Sequence, residues 1–177
     1  MTLLEQVSAR LSQAGIRHAL IGAAALATYG VSRSTLDQDL LAIDRSCLDV
    51  ALWEPLRAQG IQISINAGDA ADPLAGVVRF QARNERTVDL VIGKPTWQSR
   101  AIERAEAGPP GLPPVVRPAD FILLKLYAGG PQDAWDIQQL LGTAAGAGSV
   151  PEVERELSAL PPESVALWRR VREGETR

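Results

Sequence analysis

Two aspartates set into an apolar strand constrain this chain more than any other feature. In residues 36–43 (Leu-Asp-Gln-Asp-Leu-Leu-Ala-Ile), Asp37 and Asp39 stand two positions apart. Residues two apart on a strand point to the same face, so the pattern predicts two carboxylates side by side. Like charges held that close repel unless a cation lies between them. Hard oxygen ligands of this kind suit Mg²⁺ or Mn²⁺. A strand built for stability alone has no use for such a pair.

What precedes the pair narrows the fold. Residues 16–21 read as a buried strand that ends at a small-residue turn, Gly22-Ala23. A short Ala-rich helix over 23–29 follows, closed by Gly30. Before the strand, residues 2–14 read as a helix with Leu3, Leu4, Val7 and Leu11 at helical spacing, a Thr2–Glu5 capping box and Gly15 as stop. His18, the only histidine, reads as a partly exposed residue at a strand start.

After the aspartates the chain alternates between helices and strands. Residues 46–59 look helical, with Ser46 as N-cap and Pro55 as an interruption; Cys47 reads as a small buried residue in that helix. Strands are expected over 61–65, 76–83 and 86–92, the last two joined by a turn at Asn84-Glu85. Residues 66–73 read as a loop and 97–106 as a helix. The Gly-Pro-Pro-Gly-Leu-Pro-Pro segment over 108–114 excludes regular structure and marks a boundary or a long crossing. Helices are expected over 118–128 and 131–141, each opened by proline. Residues 142–148 read as a small-residue linker, followed by helices over 151–160 and 162–173. The last carries an apolar stripe (Val165, Leu167, Trp168, Val171) that needs a partner. Trp97, Trp135 and Trp168 read as core. The fold expected is α/β: a short mixed sheet of about four or five strands flanked by helices, with a helical C-terminal part. The division is residues 1–107 as the core and 117–177 as a helical region.

Composition removes several classes. The chain has 177 residues, 46% apolar and 22% charged, as in an ordinary soluble globular protein. A net charge of −3 gives no global basic footprint for nucleic acid. The single cysteine, Cys47, excludes an internal disulfide and a cysteine-based zinc site. No apolar run reaches the roughly eighteen residues of a membrane span, and the first ten residues lack a signal-peptide core. The default location is cytoplasmic.

A third carboxylate, Asp89, lies in the apolar run Thr87-Val88-Asp89-Leu90-Val91. Burying it is costly unless it is paired or metal-bound. Placed beside the Asp37–Asp39 strand it completes a three-carboxylate cluster; paired with Arg79, Arg83 or Arg86 it is a structural ion pair. Lys125 sits among Leu123, Leu124 and Leu126, where it either snorkels to solvent or serves a ligand. Asp133 and Asp136 either orient Lys125 or favour a helix N-terminus. Arg33, Ser34 and Thr35, just before the aspartates, are either loop residues or anion donors.

The run Gly22-Ala23, Tyr29-Gly30, Arg33 and Asp37-x-Asp39 resembles the signature of the nucleotidyltransferase superfamily, the DNA polymerase beta fold. The stretch Leu123-Leu124-Lys125-Leu126 through Asp133 and Asp136-Ile137 is similar to the helical part of AbiEii-like and minimal nucleotidyltransferases, which often belong to toxin–antitoxin systems. The resemblance covers roughly residues 15–142. It implies that Asp37, Asp39 and Asp89 bind two divalent ions, Mg²⁺ or Mn²⁺, with Asp89 also helping to deprotonate the nucleophile. It implies that Gly22 and Ala23 let the backbone approach an NTP triphosphate, and that Arg33, Thr35 and Lys125 contact its phosphates. Ala23 stands where the family often has Ser or Gly, and Gly129–Gln132 lacks the basic residues usual in AbiEii-like proteins.

The expected activity is transfer of a nucleoside monophosphate from an NTP to a hydroxyl acceptor on RNA, a protein or a small molecule, with a cognate protein partner in a toxin–antitoxin setting. Two rivals stand beside it. One is a catalytically weak or inactive binding module of the same fold, and the other is a metal-dependent phosphodiesterase.

Overall fold

The computed structural model describes residues 1–33 and 37–174. These divide into two compact units, one formed by Met1–Ala25 with the chain from Arg33 to Val116, the other by Leu26–Ser32 with the chain from Arg117 onward.

The first unit is built on a five-stranded mixed sheet. Helix α1 (Leu3–Gln13) opens with the Thr2–Glu5 capping box and buries Leu3, Leu4, Val7 and Leu11. Strand β1 (His18–Ile21) leads directly into α2 (Gly22–Thr28). Then come β2 (Gln38–Ala42), α3 (Val50–Arg57), β3 (Gln62–Ala67), β4 (Leu74–Gln81), β5 (Val88–Gly93) and α4 (Trp97–Glu103). The strand order is β1-β2-β5-β4-β3. Only β2 and β5 run parallel; β1·β2, β3·β4 and β4·β5 are antiparallel. Strand β5 is central and buried at almost every position, as its near-continuous apolar run requires. Trp53 and Phe80 meet edge to face at 4.7 Å, and the Trp53 indole donates to the Cys47 carbonyl at 2.7 Å.

Several local expectations change. The helix expected over 46–59 is two pieces: a 3-10 turn, Arg45–Leu48, capped by Asp44, and α3, capped by Asp49. Two Asx caps in succession restart the chain at Asp49, so the break falls there and Pro55 is accommodated inside α3. Cys47 is buried in the 3-10 turn. His18 does start a strand but is only 7% exposed. Its Nδ1 donates to the Ile16 carbonyl at 3.0 Å and its Nε2 lies 2.7 Å from the Ser8 hydroxyl. Just after the proline-rich crossing, Val115 makes isolated bridges to Leu20 and Glu106.

The second unit is helical: α5 (Pro118–Ala128), α6 (Pro131–Leu141), α7 (Ala144–Glu156) and α8 (Pro162–Glu173). The linker expected over 142–148 is instead the start of α7. The Thr143 hydroxyl accepts from the Gly146 N–H at 3.1 Å and caps the helix. A Cβ at Gly146 would overlap the Leu140 backbone, so the small residues there serve close packing. Arg117 forks onto Glu152 at 3.1 and 2.7 Å. The apolar stripe of α8 finds its partner within this unit: Leu167, Trp168 and Val171 are buried, and α8 packs on α5 and α6. Trp135 is not core. It is 40% exposed, because α6 buries the face carrying Ala134, Asp136, Ile137 and Leu140. No helix among the described residues is long and apolar enough to cross a membrane.

Candidate active site

The aspartates converge through strand register. Ile21 of β1 pairs with Asp39 of β2, and Asp39 pairs with Asp89 of β5. Directly opposed residues in a sheet share a face, so the Asp39 and Asp89 carboxylates are neighbours. Asp37 departs from expectation. Strand β2 begins at Gln38, which leaves Asp37 exposed on the residue before it, while Asp39 is half-buried. Pairing with β5 begins at Gln38–Val88, so Asp37 precedes the first paired residue; Leu36 lies outside the described residues.

Gly22 is the residue that admits Asp39. It has φ +63° as the chain leaves β1, and the Asp39 carboxylate fills the space a Cβ would take. Only glycine combines that left-handed angle with a vacant side-chain position. Ala23 follows on α2 and is buried. Arg33 is half-buried. Thr35 and Ser34 lie outside the described residues.

Asp89 takes the ion-pair option. It is 9% exposed, and Arg79, opposite it across β4·β5, donates to both its oxygens at 2.8 and 2.7 Å. Register selects among the three arginines: Arg83 and Arg86 fall in the loop beyond both strands and are exposed. The hydrogen bonds and charge of Asp89 hold the Arg79 proton more tightly than usual, with smaller contributions from Asp37 and Asp39. All three carboxylates therefore act on one guanidinium.

Lys125 lies on α5 in the helical unit. Its ammonium is bound by Asp133 at 2.7 Å and Asp136 at 2.9 Å, and stands 5.7 Å from the Phe121 ring. Burial pulls its pKa down, but the two carboxylates more than offset this and the net shift is upward. Asp133 does both things its sequence position suggests. One oxygen holds Lys125 and the other accepts the Gly130 N–H at 3.0 Å, capping α6.

The donor set fits one divalent ion in part. Asp37 and Asp39 offer hard carboxylate oxygens. Asp89 does not fit a second ion in this arrangement, since both its oxygens accept from Arg79. Among the described residues no group of three His, Cys, Asp or Glu side chains is gathered to hold a metal.

No protein-family model and no curated protein matches the sequence. Solved structures do match the fold. An antigenic nucleotidyltransferase-like protein from Paracoccidioides brasiliensis is similar over 97% of this chain and 86% of its own, at 13% identity and a TM-score of 0.50. The chain has a nucleotidyltransferase fold. The antibiotic-resistance factor ANT(2'')-Ia matches over 96% of this chain and 80% of its own, at 16% identity and a TM-score of 0.49. Terminal uridylyl transferase 4 from Trypanosoma brucei matches over 76% of this chain and 46% of its own, at 12% identity and a TM-score of 0.38. At these identities the likeness concerns the fold alone.

Proposed function

We propose that this chain is a metal-dependent nucleotidyltransferase that moves a nucleoside monophosphate from an NTP to a hydroxyl acceptor, releasing pyrophosphate. One observation carries the reading: Asp39 is seated on Gly22 at the β1–α2 corner and lies directly opposite Asp89. A structural aspartate does not require a left-handed glycine beneath it. In this reading Asp37 and Asp39 hold the Mg²⁺ or Mn²⁺, Gly22 and Ala23 give the nucleotide close access to backbone, and Arg33 and Thr35 are phosphate contacts. The bound ion would acidify the acceptor hydroxyl and offset charge on the transferred phosphoryl group. The half-buried setting of Asp39 limits water around its carboxylate and strengthens its hold on a cation. The acceptor is RNA, a protein or a small molecule, and an AbiEii-like toxin–antitoxin setting with a cognate protein is part of the proposal.

The test is turnover of each labelled NTP with Mg²⁺ by the native chain and by Asp39→Asn. Loss of turnover in the variant is expected; equal activity in the two sinks the reading. The Arg79–Asp89 pair favours a second reading, a catalytically weak binding module. Absence of turnover by the native chain, together with retained NTP binding, selects it.

A further inference from the structure

The acidic face of the sheet carries its own cation. Asp39, Asp89 and Arg79 occupy directly opposed positions on three adjacent strands, β2, β5 and β4. Arg79 grips both oxygens of Asp89. A forked guanidinium–carboxylate pair is among the strongest side-chain hydrogen bonds and fixes its partner's orientation. The two ends of the pair differ in exposure: the Asp89 side chain is 13% exposed and that of Arg79 49%. The carboxylate therefore stays in the sheet, while the guanidinium reaches it from the solvent side and is the end able to leave. Asp37 and Asp39 also act on Arg79, smaller influences than that of Asp89.

We propose that Arg79 sets the ion stoichiometry of this site: while it holds Asp89, that carboxylate is withheld from metal, and the chain takes one divalent ion, on Asp37 and Asp39. The inference rests on the metal-dependent reading above. Arg79 places a positive charge against both oxygens of Asp89. Arg79 thus does at Asp89 what a second ion would do. Removing it restores the unbalanced carboxylate and opens the second position. A guanidinium also cannot be deprotonated at neutral pH, so the withholding is not relieved by ordinary changes of pH. It is relieved only when the pair is broken.

The experiment is Mn²⁺ titration of the native chain, Arg79→Met and Arg79→Lys, read by calorimetry and by the paramagnetic signal of free Mn²⁺. Circular dichroism of each variant checks the fold, and Arg79→Lys retains a cation opposite Asp89 in case the methionine variant does not fold. One ion on the native chain and a second on Arg79→Met, or an affinity at least about tenfold higher, is expected. Arg79→Lys keeps the native stoichiometry but binds more tightly, because an ammonium makes no fork with the carboxylate. No ion on the native chain and one on Arg79→Met overturns the inference, because the native chain then lacks the single ion assigned to Asp37 and Asp39. Two ions on the native chain overturn the inference. One ion on all three proteins, with affinities alike, overturns it and leaves the metal-dependent reading standing; no ion on any of them overturns both.

Discussion

Replacing Gly22 with alanine separates a turn glycine from a site glycine. Two penalties arise. An L-residue at φ +63° costs about 1–2 kcal/mol. The new Cβ also lands on the Asp39 carboxylate, and displacing a packed side chain costs about 1–3 kcal/mol more. Gly15 supplies the control. It has φ +71° in the same unit, and a Cβ there meets nothing within 4 Å. Gly15→Ala therefore carries the backbone penalty alone, about 1–2 kcal/mol. Urea unfolding of both variants reads the difference, with Gly22→Ala expected to be the less stable by about 1–3 kcal/mol. Mn²⁺ titration gives the second readout: Gly22→Ala weakens ion binding because Asp39 is pushed off its position, and Gly15→Ala leaves it unchanged. In a double-mutant cycle, Asp39→Ala recovers most of the excess penalty. If Gly22→Ala and Gly15→Ala agree within about 0.5 kcal/mol and bind Mn²⁺ alike, Asp39 does not depend on Gly22 and the reasoning is wrong.

Three further outcomes are expected. Lys125→Met leaves Asp136, wholly buried, without the ammonium now 2.9 Å away, and costs about 3–5 kcal/mol in urea unfolding; a loss under about 1 kcal/mol refutes the clamp. The upward shift of Lys125 makes its stabilising contribution fully present below the ordinary lysine value of about 10.4, and lost as pH rises through the higher folded value. Thermal melts should therefore fall on the alkaline side, with that part of the fall absent in Lys125→Met. Burial, aided by Asp44, pushes the Cys47 thiol up to about 12. Disulfide reagents at pH 8 should leave it unmodified in the folded protein and label it in urea; rapid native labelling would show that the 3-10 turn opens.

The sequence determined those features that depend on neighbours along the chain. The Thr2–Glu5 capping box and the proline starts of α5, α6 and α8 follow from short-range spacing, and each element lies at or within a few residues of its expected place. The run from Gly22-Ala23 to Asp37-x-Asp39 was legible only as a resemblance to the nucleotidyltransferase signature. Local composition misled where close packing was the cause: 142–148 resembled a linker, because small residues that let α7 approach Leu140 look like those of a flexible joint. Register lies beyond any local pattern, because it is set by which strands pair and by the loops between them. It took the tertiary structure to set Asp39 against Gly22, to start β2 after Asp37, and to choose Arg79 over Arg83 and Arg86 as the partner of Asp89. The aspartates were written in the chain; the cation that answers Asp89 was decided by the alignment of β4 with β5.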